Sequence, residues 1–189
     1  MRLAALDLET TGLNPQTDQI LQIAVVAFDP DDPTIPVHEL PYFYTDVRYA
    51  RYEGDAYALQ MNATILKRIA DGGRDVPSLR QAIGDYCSGG RIRTTLIDFI
   101  QEQFPGDDYK RGPHPVGFNV AAFDVAFVKA AGYDLFHYRP IDLGSLLSAD
   151  GLPVSSTNAL NIIGREVTHD ALEDARDAVR LYRYWKASR

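Results

Sequence analysis

The chain opens on an apolar run, Leu3-Ala4-Ala5-Leu6, which passes through Asp7-Leu8-Glu9 into Thr10-Thr11-Gly12. This is the pattern of a short strand running into a turn. Ile20–Phe28 reads as a second, largely buried strand and Val37–Asp46 as a third, with turn chemistry at Gly12–Pro15 and Asp29–Pro33 between them. Three strands with such short connections predict an antiparallel meander. Helical spacing follows over Ala56–Ala70, with Leu59, Ala63, Leu66 and Ala70 on one stripe. Pro77-Ser78 opens a further helical stretch that breaks near Ser88-Gly89-Gly90, and Arg91–Phe104 is a clearer helix closed by Pro105–Asp108. Pro113–Phe118 offers a fourth strand, Val120–Ala131 a helix ended by Gly132, and Tyr138–Ile141 a fifth strand. A short helix over Asp142–Ser148 precedes the last helix, which starts at Asp170 with Glu173 as capping-box partner. Strands four and five each follow a helix, so they are expected to lie parallel to the first. The prediction is an α/β fold with a mixed five-stranded sheet, three antiparallel strands plus two parallel, flanked by helices. No repeat or linker divides it, so residues 1–189 read as a single domain.

Four carboxylates break this pattern. In a strand alternate side chains share a face, so Asp7 and Glu9 point the same way, on the face of Leu3 and Ala5. Asp124 falls in the middle of a helix that is apolar on nearly every side and therefore buried. Asp174 joins the inward stripe of the last helix, Ala171, Ala178, Leu181 and Trp185, whereas Arg176, Asp177, Arg180 and Arg183 lie around the outward side. That spacing makes Asp177 a solvated charge. Each acid alone is weak evidence, because Asp-x-Glu pairs are common and a lone buried Asp is more often a cap or an ion-pair partner. Together they need a shared solution, and no Lys or Arg is spaced to supply it. A divalent cation is the simplest candidate, and hard oxygen donors favour Mg²⁺ or Mn²⁺ over zinc.

Asp7-Leu8-Glu9-Thr10-Thr11-Gly12-Leu13, Asn119-Val120-Ala121-Ala122-Phe123-Asp124 and His169-Asp170-Ala171-Leu172-Glu173-Asp174-Ala175 resemble, in order, the three motifs of the DEDDh exonuclease family of the DnaQ-like superfamily. The resemblance spans essentially the whole chain and implies a ribonuclease H-like fold. It implies a 3′–5′ exonuclease that releases nucleoside 5′-monophosphates from 3′ ends of single-stranded DNA or RNA. Carried over by position, it makes Asp7, Glu9, Asp124 and Asp174 the ligands of two divalent ions, Mg²⁺ or Mn²⁺, and His169 the general base that takes a proton from the attacking water. Thr10, Gly12 and Leu13 occupy the stretch that holds the terminal nucleotide in this family. Phe118, Asn119 and Phe123 flank the second motif, with core packing as the competing role for both phenylalanines. Met61 and Asn62 are placed to face the same site. Gly117-Phe118-Asn119 departs from the family pattern, where many relatives carry His before Asn. Phe136–Asp142 is similar to a segment of oligoribonucleases, which degrade very short RNAs as dimers, so a homodimer is among the assemblies implied. Against that, Thr10-Thr11-Gly12 follows the proofreading and general exonuclease pattern better, and the length suits a small stand-alone phage or bacterial exonuclease. Two rival readings remain beside the exonuclease: a non-catalytic nucleic-acid-binding or docking module of the same fold, whose mark would be loss of an acid or of the histidine, and a phosphodiesterase for small nucleotides.

Composition changes this picture little. Apolar residues make up 46% and charged residues 24%, an ordinary globular balance. A net charge of −7 argues against a basic surface that coats long nucleic acid, but not against an enzyme of strand ends. Cys87 cannot form an internal disulfide, reads as a core filler and suits a reducing compartment. No apolar run approaches the roughly 20 residues of a membrane span, and the first strand begins at residue 2 or 3, leaving no room for a leader. The expectation is a cytoplasmic protein without a membrane partner. Tyr42-Phe43-Tyr44 with Arg48-Tyr49-Ala50-Arg51-Tyr52 has the makings of a stacking surface for single strands, or of a hairpin whose tyrosines pack on one another. His38, His114 and His137 have no inward acid nearby and are given no role.

Overall fold

The computed structural model describes residues 2–71, 89–104, 112–132 and 134–189. Its elements are β1 (Leu3–Thr10), β2 (Ile20–Phe28), a 3₁₀ turn (Val37–Glu39), β3 (Tyr42–Asp46), α1 (Ala56–Met61), α2 (Ala63–Ala70), α3 (Gly89–Gln103), β4 (His114–Gly117), α4 (Asp124–Ala130), β5 (Ile141–Asp142), α5 (Leu143–Ala149), α6 (Ser156–Ile162) and α7 (Ala171–Ala187). The five strands form one sheet in the order β3-β2-β1-β4-β5. β1–β2 and β2–β3 are antiparallel, while β1–β4 and β4–β5 are parallel. This is the predicted mixed sheet, with β1 at its centre.

The period of two along β1 separates two apolar layers. Leu3 and Ala5, with Ala24 and Val26 of β2, pack against Leu143 and Leu147 of α5 and the inner side of α7. Ala4, Leu6 and Leu8, with Ile23 and Val25, pack against Leu96 and Ile100 of α3 and Phe127 and Val128 of α4. With both faces covered, β2 is buried along its whole length. In α7 the small Ala171, Ala175 and Ala178 are buried, and the short side chains let the helix lie close to the sheet.

Several elements depart from expectation for local reasons. The third strand is shorter, because Pro41 cannot donate to the ladder and pairing starts only at Tyr42. Pro140 delays β5 in the same way, to Ile141–Asp142. The helix expected over Ala56–Ala70 breaks at Asn62, and its second half buries Ile65 and Ile69, while Ala63 and Ala70 are exposed. The helix expected from Val120 starts at Asp124, because Asn119 has a left-handed backbone (φ 52) and residues 120–123 form turns; Ala121 and Ala122 are exposed. α6 had no counterpart in the sequence pattern. Gly89 and Gly90 are the first described residues of α3, whereas the stretch opened at Pro77-Ser78 with its break at Ser88, the stop at Pro105–Asp108 and Cys87 lie outside the described residues. Tyr49 and Tyr52 pack edge to face and Tyr44 is buried, which is the local-packing alternative for the aromatic segment.

α7 corrects two readings. Asp170 is the N-cap, accepting from the amides of Leu172 and Glu173, but Glu173 does not close a capping box. It pairs instead with Arg176 and Arg165, at 2.6 and 3.2 Å. Asp177 is not solvated: it is 1% exposed, held by Arg165 at 3.0 Å and by Arg180 one turn on. The helix is buried across a broader arc than its stripe suggests, and two arginines arching over its edge satisfy the carboxylate. Asp177→Ala is therefore expected to lower stability by about 1.5–3 kcal/mol, the scale of hydrogen bonds to charged groups, as a reduced urea midpoint. No change would return Asp177 to the surface role.

Candidate active site

β1 delivers Asp7 and Glu9 to one end of the sheet, on the face that packs against α7. A register irregularity between Glu9 and Thr10 ends the regular pairing with β2 there. α4 brings Asp124 in its first turn, and α7 brings Asp174 in its own first turn. The segment before α7 supplies His169. Oxygens of Asp7, Glu9 and Asp174 lie within 4.8 Å of one another. Asp124 stands beside Asp7 and Glu9, close enough to act on both electrostatically. All four acids and His169 line one cavity of about 540 Å³.

The electrostatics are those of an uncompensated acidic cluster. Burial pushes the Asp7 carboxyl well above the usual range, and Asp124, Asp174 and Glu9 push it further. Glu9, 7% exposed, is pushed up to about 7, mainly by burial and then by Asp174, with the Asn62 side chain offsetting part of the shift. Burial raises Asp124, and the backbone amides of Leu8 and of Asp124 itself offset only part of that. Asp174 is also raised by burial, against the opposing pull of the Thr168 amide, the Thr168 hydroxyl and His169. No Lys or Arg among the described residues pairs with any of the four; the nearby arginines serve Asp46, Asp177 and Glu173. Converging hard oxygen donors without a protein counter-charge are a fitting cradle for a divalent metal ion.

His169 is held from behind. Its backbone is left-handed (φ 52), its amide donates to Asp174 Oδ2 at 3.1 Å, and its Nδ1 lies 3.9 Å from Glu9 Oε1. Thr168 donates its amide and hydroxyl to Asp174 Oδ1, at 3.2 and 2.9 Å. Asp174 thus fixes the turn that carries the imidazole, which is half-exposed on the cavity side. The adjacent Asp170 is tied to Tyr44, whose hydroxyl donates to it at 3.2 Å, and Arg68 bridges Tyr44 and Asp46 behind it.

Of the residues assigned to substrate, Thr10, Gly12, Leu13, Met61, Phe118 and Phe123 line this cavity. Asn119 does not; it lines a neighbouring pocket with Asp142, whose carboxylate accepts from its amide at 2.6 Å. Leu13 is 84% exposed, on a turn braced by the Thr10 hydroxyl donating to the Gly12 carbonyl at 2.6 Å. Tyr57 was missed from the sequence: it is 74% exposed on the cavity wall, one helical turn before Met61, and that i,i+4 spacing was the available signal. Leu160 and Val167 add to the apolar lining. They come from α6 and the loop after it, and no motif marked them.

Fold and cluster together define a class, a ribonuclease H-like architecture with four acids and a histidine on one cavity at the end of β1. Known proteins agree. The chain is 24% identical to an oligoribonuclease of Actinobacillus pleuropneumoniae, over 96% of this chain and 90% of that one. It is 26% identical to an oligoribonuclease of Shewanella frigidimarina, over 95% and 91%. Its fold matches E. coli Exonuclease I in complex with a dT13 oligonucleotide, with a TM-score of 0.64 at 16% identity over 98% of this chain. The chain spans about two fifths of the length of that protein, 41%. No protein-family model matches the chain. The full-length likeness to oligoribonucleases and the shared fold bear out the resemblance carried by the three motifs. Among the described residues no helix is long and apolar enough to cross a membrane.

Proposed function

We propose that the protein is a metal-dependent 3′–5′ exonuclease acting on single-stranded nucleic acid. The observation that carries this reading is the convergence of Asp7, Glu9, Asp124, Asp174 and His169 on one cavity, four acids without a protein counter-ion and one histidine. Asp7, Glu9, Asp124 and Asp174 would hold two divalent ions, Mg²⁺ or Mn²⁺, which when bound supply charge neutralisation at the scissile phosphate and a more acidic water. His169 is more exposed than the four acids and would accept a proton from the attacking water, with Asp174 holding the turn that carries the ring. Leu13, Tyr57 and Met61 form an apolar wall for the terminal base, and Phe118 and Phe123 face the same space.

Short RNA is the second reading of the substrate. What favours it is similarity to oligoribonucleases over about nine tenths of their length, 90% and 91%, and over 96% and 95% of this chain. A homodimer and a cytoplasmic site of action go with that reading. The test is a set of matched 5′-labelled DNA and RNA oligonucleotides, from dinucleotides to about twenty residues. A ladder shortening from the 3′ end with Mg²⁺ or Mn²⁺ is expected; an untouched ladder for every substrate overturns the exonuclease. In the same assay His169→Ala is expected to slow turnover by roughly 10²–10⁴-fold while metal binding by calorimetry persists. An unchanged rate across neutral pH removes His169 from the base role.

A further inference from the structure

Asn62 sits between α1 and α2, where an asparagine ordinarily caps the following helix, yet its side chain makes no capping hydrogen bond. The side chain turns toward the end of β1 instead, and Nδ2 donates to the Thr10 carbonyl at 3.0 Å. That bond fixes the amide's orientation, because a flipped amide would set Oδ1 against a carbonyl oxygen. The residue is 1% exposed, and Oδ1 is buried without a hydrogen-bond partner among the described residues. A buried acceptor left unsatisfied is destabilising, so its retention calls for a donor that the described residues do not supply.

Its place narrows what that donor is. Asn62 lines the cavity, its side chain acts on Glu9, one of the four acids, and Met61 of the apolar wall precedes it in sequence, which puts it at a seam between acid and apolar lining. The acids are suited to a phosphate with its counter-ions, and the apolar wall to a base. In a nucleotide the sugar joins the two, so the seam is where the sugar falls. A phosphodiester has no proton to donate, and base N–H groups differ from base to base. A sugar hydroxyl is the donor common to every strand end. Resting on the exonuclease reading, we propose that Asn62 is a specificity residue whose Oδ1 accepts a hydrogen bond from a free hydroxyl on the 3′-terminal sugar.

The experiment compares one short RNA with the same strand ending in a 2′-deoxy, a 3′-deoxy or a 2′,3′-dideoxy nucleotide, for the natural protein and Asn62→Ala. Removing the accepted hydroxyl is expected to lower kcat/KM of the natural protein about tenfold, the scale of one neutral hydrogen bond. The 2′- and 3′-deoxy ends identify which hydroxyl it is. Asn62→Ala is expected to lose a similar factor on the unmodified end and to be indifferent to the dideoxy end. Loss of the Thr10 contact alone would lower all four substrates equally, so equal sensitivity of both proteins to the dideoxy end overturns the proposal. Should Asn62→Ala not fold, Asn62→Ser takes its place, and a natural protein insensitive to loss of both hydroxyls overturns the proposal by itself. Release of no mononucleotide from any of the four ends, with Mg²⁺ or Mn²⁺, sinks the exonuclease reading and this inference with it.

Discussion

Asp7→Asn is expected to abolish metal-supported hydrolysis, lowering kcat/KM by about 10³-fold or more, while leaving the fold as stable as before or more so. The two halves have one cause. Asp7 lies at the centre of the cluster, where burial, Asp124, Asp174 and Glu9 all oppose its charge. An amide of the same shape removes that repulsion at no loss of packing. The same charge is what would hold a divalent ion against the scissile phosphate. Losing a single preorganised electrostatic contact to a transition state already costs on the order of 10²–10³-fold, and a metal ligand positions more than one contact. Paired measurements of turnover with Mn²⁺ and of urea unfolding in EDTA check both halves. Near-normal turnover would remove Asp7 from the metal site, and a large fall in the urea midpoint would make its role structural.

The second large effect is a pH dependence of stability that metal reverses. Glu9 is shifted from an ordinary value near 4.5 to about 7. Below 4.5 the group is protonated in folded and unfolded chains alike, and the site carries no penalty. Between 4.5 and 7 the unfolded chain releases its proton while the folded site keeps it, so stability falls as pH rises, and the loss levels off above 7. For Glu9 alone this is on the order of 3 kcal/mol. Asp7, Asp124 and Asp174 are shifted in the same direction and add to it. A divalent ion binds the deprotonated acids, so its stabilisation grows over the same range. In EDTA the melting temperature is expected to fall between pH 5 and pH 8, and saturating Mg²⁺ or Mn²⁺ to restore most of the loss at pH 8. A flat EDTA profile would contradict the raised values, and restoration undiminished in Asp7→Asn would place the ion elsewhere.

What could be read in advance followed from short-range rules. Period-two burial along β1 fixed the shared face of Asp7 and Glu9, and the short connections around β2 fixed the antiparallel half of the sheet. The helices before β4 and β5 fixed the parallel half. Asp174 was legible because one spacing on one helix relates it to Ala171 and Ala178. Asp124 was legible as an acid in an apolar run, although its place in a first turn depended on Asn119 leaving the helical region. The same one-helix reasoning failed for Asp177, since whether a charge at the edge of a stripe meets water or Arg165 is decided by a loop twelve residues away.

The sequence by itself therefore determined the mixed sheet and singled out the four acids and the histidine that meet on one cavity, because motif and periodicity are properties of neighbouring residues. Tertiary structure decided the wall of the cavity: Tyr57 with Met61, Leu160 and Val167 added from α6 and the loop after it, Asn119 turned into the next pocket, and Asn62 with its amide committed on one side only. Those assignments depend on which segments from distant parts of the chain meet at the end of β1. No periodicity within a segment encodes the identity of its neighbour, and only the folded chain supplies it.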